Sequence, residues 1–416
     1  MTAGRPGGRA AVVGAGIVGL SVGWFLQQEG FVVTVYDRTG VAAGSSAGNA
    51  GWITPAMVAP LPEPSALRYG LLSVFRPASP LRIAPGALPA TWRFLADFAA
   101  HSTRRKWLAG VTDLAGLTAL ALPSYQALAE AGVAGRTEET TIVAAFERPA
   151  QADSLRHELQ YVAAAGGPDS NVDELTAADL RRETPLLGPK AGYGLRIGRQ
   201  RFLRPLDFVL SLAASVCGRG GQIVTGARVG AVSRRTNGVR LDVSGCDEDF
   251  DVCVLANGAW IRELAGPAGV RVRTVAGRGY SFTVETQERL VQPLYLPAAR
   301  VACTPVPGGM RVAGTMEFRS AEDPPDRRRI SAIVRSARGY LPRVDWSARA
   351  EEWVGSRPVT SDGLPIIGST QVDGLFVAGG HGMWGMTLGP ATGRLLARRI
   401  ATGRPEAALE PFDPLR

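Results

Sequence analysis

Apolar positions in the first forty residues fall into two kinds of run. The stretch AAVVGAG (Ala10–Gly16) is short, apolar and partly β-branched, which is typical of a buried parallel strand. The next stretch, IVGLSVGWFLQQEG, has apolar residues at helical spacing and ends at Gly30. FVVTVYD then predicts a second strand that ends at Asp37. The pattern therefore predicts a strand–helix–strand unit.

Three glycines at the first strand–helix junction indicate what this unit binds. Gly14, Gly16 and Gly19 form G-x-G-x-x-G, and the acidic Asp37 follows the second strand. Gly14 permits a tight turn, Gly16 lets the backbone approach a pyrophosphate, and Gly19 allows the helix to pack on the strand. Because Asp37 can bind an adenosine ribose, the pattern predicts a dinucleotide site.

A second glycine-rich stretch, GHGMWGMTLGPATG (380–393), precedes the apolar, arginine-rich run RLLARRI, which predicts a helix. It holds five glycines and His381, one of three histidines in the chain. A helix N-terminus offers free N–H donors and a partial positive charge to a ligand that comes close to the backbone. We expect Pro390 in the first turn of this helix, where a missing N–H costs nothing.

Composition and charge exclude several classes of protein. The 416 residues are 45% hydrophobic and 20% charged, as in a globular protein of two or three domains. The net charge is +9, and nearly all the basic residues are arginines. They do not cluster with aromatic residues as nucleic-acid binding would require. No apolar run reaches the roughly 18 residues needed to span a bilayer. With no signal-peptide pattern, we expect a cytoplasmic protein, and the basic surface leaves peripheral contact with the inner face of the plasma membrane open.

The cysteines and histidines do not predict a metal site. Cys217, Cys246, Cys253 and Cys303 contain no C-x-x-C pair, and the three histidines are scattered. We expect the four cysteines to be small buried hydrophobic residues.

The residues after Asp37 leave a hydrolase alternative open. Gly44, Ser46 and Gly48 match G-x-S-x-G, with Ser46 as a nucleophile and His381 as its base. A nucleophile elbow requires a strand before it and a helix after it, and neither TGVAAG nor NAGWITP suits those roles. A flavin-bearing binding or sensor module is a further alternative.

Several stretches together resemble the FAD-dependent D-amino-acid oxidase superfamily, and in particular the bacterial D-amino-acid dehydrogenases. They are the N-terminal unit, SSAGNAGWITP, LRPLDFVLSLAASVCGRGGQIVTGARVGAV, FDVCVLANGAW, WVGSRPVTSDGLPIIG and the C-terminal glycine-rich loop. Residues 59–98 also resemble an insertion characteristic of these dehydrogenases. The resemblance covers nearly the whole chain.

The resemblance implies FAD as the cofactor and a two-domain fold. A discontinuous α/β Rossmann-like FAD-binding domain would comprise residues 1–58, 200–268 and 352–416. A second, α+β substrate domain, built on a mixed antiparallel sheet, would comprise residues 59–199 and 269–351. The implied cofactor-binding residues are Gly14, Gly16, Ile17, Val18, Gly19, Asp37, Arg38, Gly44, Ser45, Ser46, Asn49, Ala50, Gly51, Trp52, Val229, Asn257, Gly258, Trp260, Gly380, Gly382, Met383, Trp384, Gly385, Met386 and Thr387.

The reaction that the resemblance implies is oxidative deamination of a D-amino acid to a 2-oxo acid and ammonia, by hydride transfer to flavin N5. Arg357, in GSRP, is the implied anchor for the substrate carboxylate, a role that suits a planar guanidinium. Alternation in GRGYSFTVE places Tyr280 on one strand face, either beside the carboxylate or simply in an amphipathic strand. His381 is either a residue beside the flavin or a packing histidine.

The chain also departs from its glycine-oxidase-like relatives. It has small residues around Ala302 where those relatives have a pocket tyrosine, and Met383 and Trp384 where they have an arginine. The pocket should therefore be roomier and more apolar, which favours a substrate larger than glycine. Alternatives within the same fold are oxidation of a cyclic or N-alkyl amino acid, such as proline, hydroxyproline or sarcosine derivatives, and a biosynthetic amine oxidase.

The resemblance implies an electron acceptor, which would be a quinone, an electron-transfer protein or oxygen. Neither Lys106 nor Lys190 lies in a flavin motif, whereas some oxidases use a lysine to assist oxygen reduction. This observation favours an acceptor other than oxygen. LRYGLLSVF and TWRFLADF could then rest on lipid, or could equally be helices of a lid over the substrate domain.

Overall fold

Strands and helices alternate along most of the chain, for which a computed structural model describes residues 7–64, 81–83 and 89–416. The strands β1 to β19 are, in order, Arg9–Val13, Val32–Asp37, Trp52–Ile53, Leu81–Ile83, Glu138–Phe146, Val172–Thr176, Tyr193–Phe202, Gln222–Thr225, Val229–Arg235, Gly238–Val243, Cys246–Phe250, Val252–Leu255, Thr274–Glu285, Leu294–Leu296, Val301–Val306, Gly309–Phe318, Arg349–Thr360, Ile366–Ser369 and Leu375–Gly379. The α-helices α1 to α10 are Ile17–Gln28, Pro89–His101, Arg104–Ala119, Ala121–Glu130, Asp153–Ala164, Ala177–Glu183, Pro205–Gly218, Ile261–Ala265, Arg327–Arg338 and Gly385–Thr402. The segment LRYGLLSVF, one half of the proposed lipid-facing surface, lies outside the described residues.

The predicted strand–helix–strand unit forms the centre of a six-stranded sheet. Its order is β18-β19-β12-β1-β2-β8, and every pairing is parallel except β18 with β19. Helices α1, α7 and α10 contribute apolar residues to the core on this sheet. The carboxyl ends of β1, β2 and β12 therefore meet at one edge, where open α/β sheets place their ligands.

Close packing between α1 and α10 depends on a glycine. A Cβ atom at Gly393 would lie 2.6 Å from the carbonyl carbon of Ser21, so only glycine lets the two backbones approach this closely. The N-terminal and C-terminal parts of the chain are thereby joined over the same sheet.

A larger sheet of ten strands forms the second part of the molecule. Its main path is β17-β13-β16-β15-β14-β5-β7-β3, with β4 on β16 and β6 on β7. The pairs β5–β14 and β4–β16 are parallel and the others are antiparallel. Strands β9, β10 and β11 make a separate antiparallel sheet. The predicted fold class, a Rossmann-like α/β part with a mixed antiparallel part, is confirmed.

The strands do not follow the predicted segment boundaries everywhere. The boundary between residues 351 and 352 falls inside β17, and the boundary between 199 and 200 falls inside β7. Both strands belong to the large sheet along their whole length. The division into five segments otherwise stays a prediction.

Only two of the four cysteines are buried as expected. Cys253 and Cys303 are buried, but Cys217 and Cys246 are exposed, because they lie at the solvent-facing end of a helix and on an edge strand. In the described ranges, no group of histidine, cysteine and carboxylate side chains is arranged to bind a metal ion. Within those same ranges, no helix is both long and apolar enough to cross a bilayer.

Candidate functional site

A groove opens where β1 ends and α1 begins, and its floor is made of backbone. Gly14 has φ +115°, and a Cβ atom there would lie 2.4 Å from the Ala256 carbonyl oxygen. A Cβ atom at Gly19 would lie 1.9 Å from the carbonyl oxygen of Gly14. Ser46 Oγ accepts a hydrogen bond from Ile17 N at 3.1 Å and so fixes the next loop at the helix N-terminus.

The acidic residue at the end of β2 is held by backbone donors. Asp37 Oδ2 accepts from Ala15 N at 2.9 Å, and Oδ1 accepts from Thr39 N and Gly40 N, also at 2.9 Å. The carboxylate lies in the wall of the groove, across from Val229. It is thus placed where a ribose hydroxyl of a dinucleotide could donate to it.

Most of the residues predicted to bind the cofactor line this groove. They are Gly14, Gly16, Ile17, Val18, Asp37, Arg38, Gly44, Ser45, Ser46, Asn49, Val229, Asn257, Gly258, Trp260, Gly382, Gly385 and Met386. A second cavity, adjoining the groove, is lined by Asn49 again and by Ala50, Trp52, Met383, Trp384 and Thr387. Gly19, Gly51 and Gly380 line neither. Gly19 and Gly51 instead allow close contact with a backbone carbonyl, and Gly380 allows close contact with the Thr360 side chain.

Hydrogen bonds join the start of α10 to β3 and to the residues after β3 at this cavity. Thr387 Oγ1 donates to the Trp52 carbonyl at 3.2 Å, and Trp384 Nε1 donates to the Ala59 carbonyl at 2.8 Å. Trp52 Nε1 in turn donates to Thr304 Oγ1 at 2.8 Å, which joins β3 to β15. The wall of the cavity is therefore held together by bonds between separate elements.

Arg357 stands at the junction of the groove and the second cavity and lines both. Its guanidinium lies against the Cα atom of Gly279, since a Cβ atom there would be 2.2 Å from Arg357 Nη2. Arg357 Nη1 donates to the Thr315 carbonyl at 3.4 Å. No ion pair joins Arg357 to a carboxylate of the described chain. Burial lowers the pKa of Arg357 to about 10, so it remains a cation at neutral pH.

Thr315 is a functional candidate that the sequence did not reveal. It has φ +58°, which is unusual for a β-branched residue, and it lies where the register of β13 with β16 shifts opposite Gly279. Its Oγ1 is buried without a hydrogen bond to the described residues, and it lines the second cavity. Backbone strain of this kind tends to occur at binding sites. Only the three-dimensional register could show it, because GTME has no special pattern.

The second cavity is mostly apolar beyond Arg357. Its lining includes Trp52, Met57, Phe98, Met316, Phe318, Met383 and Trp384, together with the small residue Ala302. Tyr295 and Arg300, which the sequence did not single out, add polar atoms. Burial raises the pKa of Tyr295 to about 12, so its phenol is neutral. None of the described lining residues is an acid or a histidine.

His381, like Arg357, lines the groove, and its side chain is buried. Its Nε2 is 2.9 Å from Thr392 Oγ1, and its backbone pairs with Val359 of β17. Nδ1 is buried without a hydrogen bond to the described residues. Burial lowers the pKa of His381 to about 4, so the ring is neutral at physiological pH.

Two predicted roles are not matched by position. Tyr280 lies in the core under the large sheet, where its hydroxyl donates to Glu317 at 2.9 Å, and it lines neither the groove nor the second cavity. Ser46 and His381 each bond to other groups and not to each other. The serine–base pair of a hydrolase is therefore not formed.

The C-terminal helix also begins earlier than expected. Helix α10 starts at Gly385, so Pro390 lies in the second turn and not in the first. Pro390 has no N–H for the Met386 carbonyl four residues before it. The buried hydroxyl of Tyr125 donates to that carbonyl at 2.5 Å and replaces the missing bond. The proline is tolerated because a neighbouring helix supplies the donor.

Comparisons with known proteins agree with this geometry. Residues 9–399 match the model of a family described as FAD dependent oxidoreductase. A D-amino acid dehydrogenase of Methylobacterium nodulans is 28% identical over 98% of this chain and 99% of its own. Among solved structures, glycine oxidase from Geobacillus kaustophilus has a TM-score of 0.74 at 21% identity, covering 98% of this chain and 99% of its own. L-proline dehydrogenase from P. horikoshii has a TM-score of 0.72 at 15% identity, covering 99% and 98%.

The two structural likenesses establish the fold alone, whereas the family match spans most of the chain. The chain belongs to the family of FAD dependent oxidoreductases. The resemblance noted in the sequence is thereby confirmed, and FAD is the cofactor.

Proposed function

We propose that this member of the FAD dependent oxidoreductase family oxidises a D-amino acid to a 2-oxo acid and ammonia. The observation that carries the proposal is the Arg357 guanidinium, which stands where the groove meets the second cavity and has no carboxylate partner among the described residues. A half-buried cation without a counter-ion is suited to an anionic ligand, and its fork matches a carboxylate. The D configuration is supported by the 28% identical D-amino acid dehydrogenase.

FAD would lie in the groove, with its pyrophosphate at the N-terminus of α1 and its adenosine towards Asp37. Two features support this placement. A Cβ atom at Gly14 would meet the backbone of Ala256, so only glycine lets the turn after β1 pack against the end of β12, where the groove opens. Asn257 Oδ1 and His381 Nδ1 are buried in the groove wall without hydrogen bonds to the described residues, and a cofactor would satisfy them.

The protein has to bind, orient and desolvate the substrate. Bound FAD supplies the hydride acceptor, so no protein nucleophile is required. Arg357 would hold the substrate carboxylate, and the apolar wall of the second cavity would exclude water from the Cα–N bond. No acid or histidine is found in the described lining, which is consistent with an amine that enters in its neutral form.

The residues that line the second cavity also indicate which substrate side chain it can receive. Ala302, Met383 and Trp384 leave an apolar space beyond Arg357, which we propose receives a side chain larger than that of glycine. Apolar D-amino acids should therefore be better substrates than glycine.

An anaerobic titration of the purified flavoprotein tests the proposal. D-, L-, cyclic and N-methyl amino acids are added in turn while the flavin absorbance band is followed. Bleaching by D-amino acids supports the proposed reaction, and bleaching by proline or sarcosine alone would favour oxidation of a secondary amine instead. A yellow protein that no member of the panel bleaches would contradict amino-acid oxidation.

We further propose that the electron acceptor is a quinone or an electron-transfer protein. Neither Lys106 nor Lys190 is among the described residues that line the groove or the second cavity. Readmitting air after anaerobic bleaching tests this point. Slow return of colour in air, with fast return on adding a soluble quinone, is expected; fast return in air would mark an oxidase. Contact with a membrane would appear as co-sedimentation with anionic vesicles.

A further inference from the structure

A carboxylate on a loop that follows the large sheet bonds to two residues of the groove lining. Glu322 lies on the loop between β16 and α9, and its Oε1 accepts from Trp260 Nε1 at 2.6 Å and from Arg38 Nη2 at 3.1 Å. The Arg38 guanidinium stacks on the indole of Trp260, with its Cζ atom 3.9 Å from the ring centroid. We call these three residues the Glu322 bridge.

The bridge joins opposite sides of the groove. Arg38 follows β2 and Trp260 follows β12, and these strands flank β1 on its two sides. Both residues line the groove near Asp37 and Val229, at the end proposed for adenosine. The bridge therefore holds together two residues of the groove lining that come from different strands, and a dinucleotide in the groove would contact both.

The loop that carries Glu322 is fixed by buried residues of the large sheet. Arg278 Nη1 donates to the Pro324 carbonyl at 3.3 Å, and Asp326 N donates to the Tyr280 hydroxyl at 3.2 Å. Arg278 is 1% exposed and Tyr280 is 2% exposed, so both are held firmly. Glu322 is thus carried by a loop that two buried side chains hold, and Tyr280, which lines neither cavity, supports that loop.

The charges of the bridge are complementary. The hydrogen bond from Trp260 and the positive charge of Arg38 hold the pKa of Glu322 below its usual range. The carboxylate is therefore ionised at neutral pH, and its Oε1 accepts both bonds.

We infer that Glu322 is a cofactor-retention residue: by holding Arg38 and Trp260 together across the groove, it slows the release of the adenosine half of FAD. This inference rests on the proposed position of FAD in the groove. It does not depend on which amine the enzyme oxidises.

The expected effect is modest because the bridge is solvent-accessible. The side chains of Arg38 and Glu322 are 36% and 66% exposed, so their ion pair alone contributes little. The indole hydrogen bond and the stacked guanidinium add to it. We expect loss of the bridge to accelerate FAD release roughly threefold to tenfold.

The experiment compares FAD release from wild-type holoenzyme and from Glu322→Gln, Glu322→Ala and Trp260→Phe holoenzymes, following the rise of flavin fluorescence after dilution. Trp260→Phe keeps an aromatic ring but removes the donor to Glu322. Glu139→Gln is the matched control, because Glu139 pairs with Arg201 at 2.6 Å, is 80% exposed and lines neither cavity.

Three results together would support the inference. FAD should leave Glu322→Ala and Trp260→Phe faster than wild type, and a double variant should be no faster than either single variant. Glu139→Gln should release FAD at the wild-type rate. Raising ionic strength should bring wild type towards Glu322→Gln, since the pair is screened. Release of FAD from Glu322→Ala at the wild-type rate would overturn the inference. Slower release would also overturn it, because Glu322 would then be competing with FAD for Arg38. All these rates are measured on flavin-loaded protein, whereas substrate bleaching tests the proposed function.

Discussion

The position of Arg357 is decided by a neighbour that has no side chain. Its guanidinium occupies the space above Gly279, and the strained Thr315 carbonyl accepts one of its N–H groups. The same corner holds His381, whose neutral ring pairs with Thr392. These contacts lead to predictions for variants of Gly279, Arg357 and His381.

Gly279→Ala should displace the Arg357 guanidinium without unfolding the protein, because the atoms that a methyl group would meet are the end of a flexible side chain. We expect KM for the amino acid to rise roughly tenfold, since the carboxylate anchor is misplaced. Arg357→Met should raise KM by on the order of 100-fold while the flavin is retained.

Steady-state kinetics with matched flavin content provide the measurement. Gly218→Ala is the control, because nothing lies within 4 Å of the Cβ atom it would add. An unchanged KM in Gly279→Ala would show that the guanidinium does not bind the carboxylate.

His381 should make the protein less stable in weak acid. The folded-state pKa of about 4 lies below the pKa of a histidine in the unfolded chain. As the pH falls below about 6.5, the unfolded state therefore binds a proton that the folded state does not bind. This stability is fully present above about pH 6.5, and about 2 kcal/mol of it should be lost by pH 5.

Denaturant unfolding at pH 7 and pH 5 measures this loss in wild type and in His381→Gln. The variant should lose about 2 kcal/mol less on acidification, and the exposed His157→Gln serves as the control for removing an imidazole elsewhere. Equal losses in His381→Gln and wild type would mean that His381 is not held neutral.

At the scale of elements, the C-terminal helix shows how packing repairs a local defect. Pro390 removes one bond inside α10, and Tyr125 of α4 supplies the donor that the Met386 carbonyl needs. Gly393 meanwhile brings α10 into backbone contact with α1. The helix that faces the groove is therefore positioned by two other helices.

Tyr125→Phe should destabilise the protein by about 1–3 kcal/mol, because it leaves a buried carbonyl without a donor. In a Pro390→Ala background the cost should be smaller, because the alanine N–H can donate to Met386. A double-mutant cycle by denaturant unfolding measures the difference. Additive losses would contradict the compensation.

At the scale of the whole molecule, the groove is assembled from distant parts of the chain. Its walls come from β1, β2, β19 and the residues after β12 in the six-stranded sheet, and from β17 of the large sheet, which carries Arg357. A ligand in the groove therefore contacts both parts of the protein at once. Its binding energy should stabilise the molecule as a unit.

Removing FAD should lower the unfolding temperature. With free FAD at a hundredfold excess over its dissociation constant, the holoenzyme should gain about 2.7 kcal/mol over the apoprotein. Calorimetry of apoprotein over a range of FAD concentrations tests this, and the unfolding temperature should rise with the logarithm of concentration. An unfolding temperature independent of FAD would contradict binding in a groove shared by the two parts.

Short sequence patterns were enough to predict the parts of the site that are contiguous in the chain. The turn at Gly14, the helix after it and the acid at Asp37 follow from short-range rules of backbone geometry and periodicity, and the structure has β1, α1 and β2 close to their predicted bounds. The family resemblance rested on such local motifs, and it pointed to FAD correctly.

Which side chains come into contact depends instead on how distant elements pack. Alternation placed Tyr280 on a strand face but could not say that this face is the core, because burial depends on what packs against the sheet. The strain at Thr315, the donor from Tyr125 and the bridge through Glu322 all join residues far apart in the chain. Such contacts are set by register and by packing between elements, and neither is encoded in any short stretch of sequence.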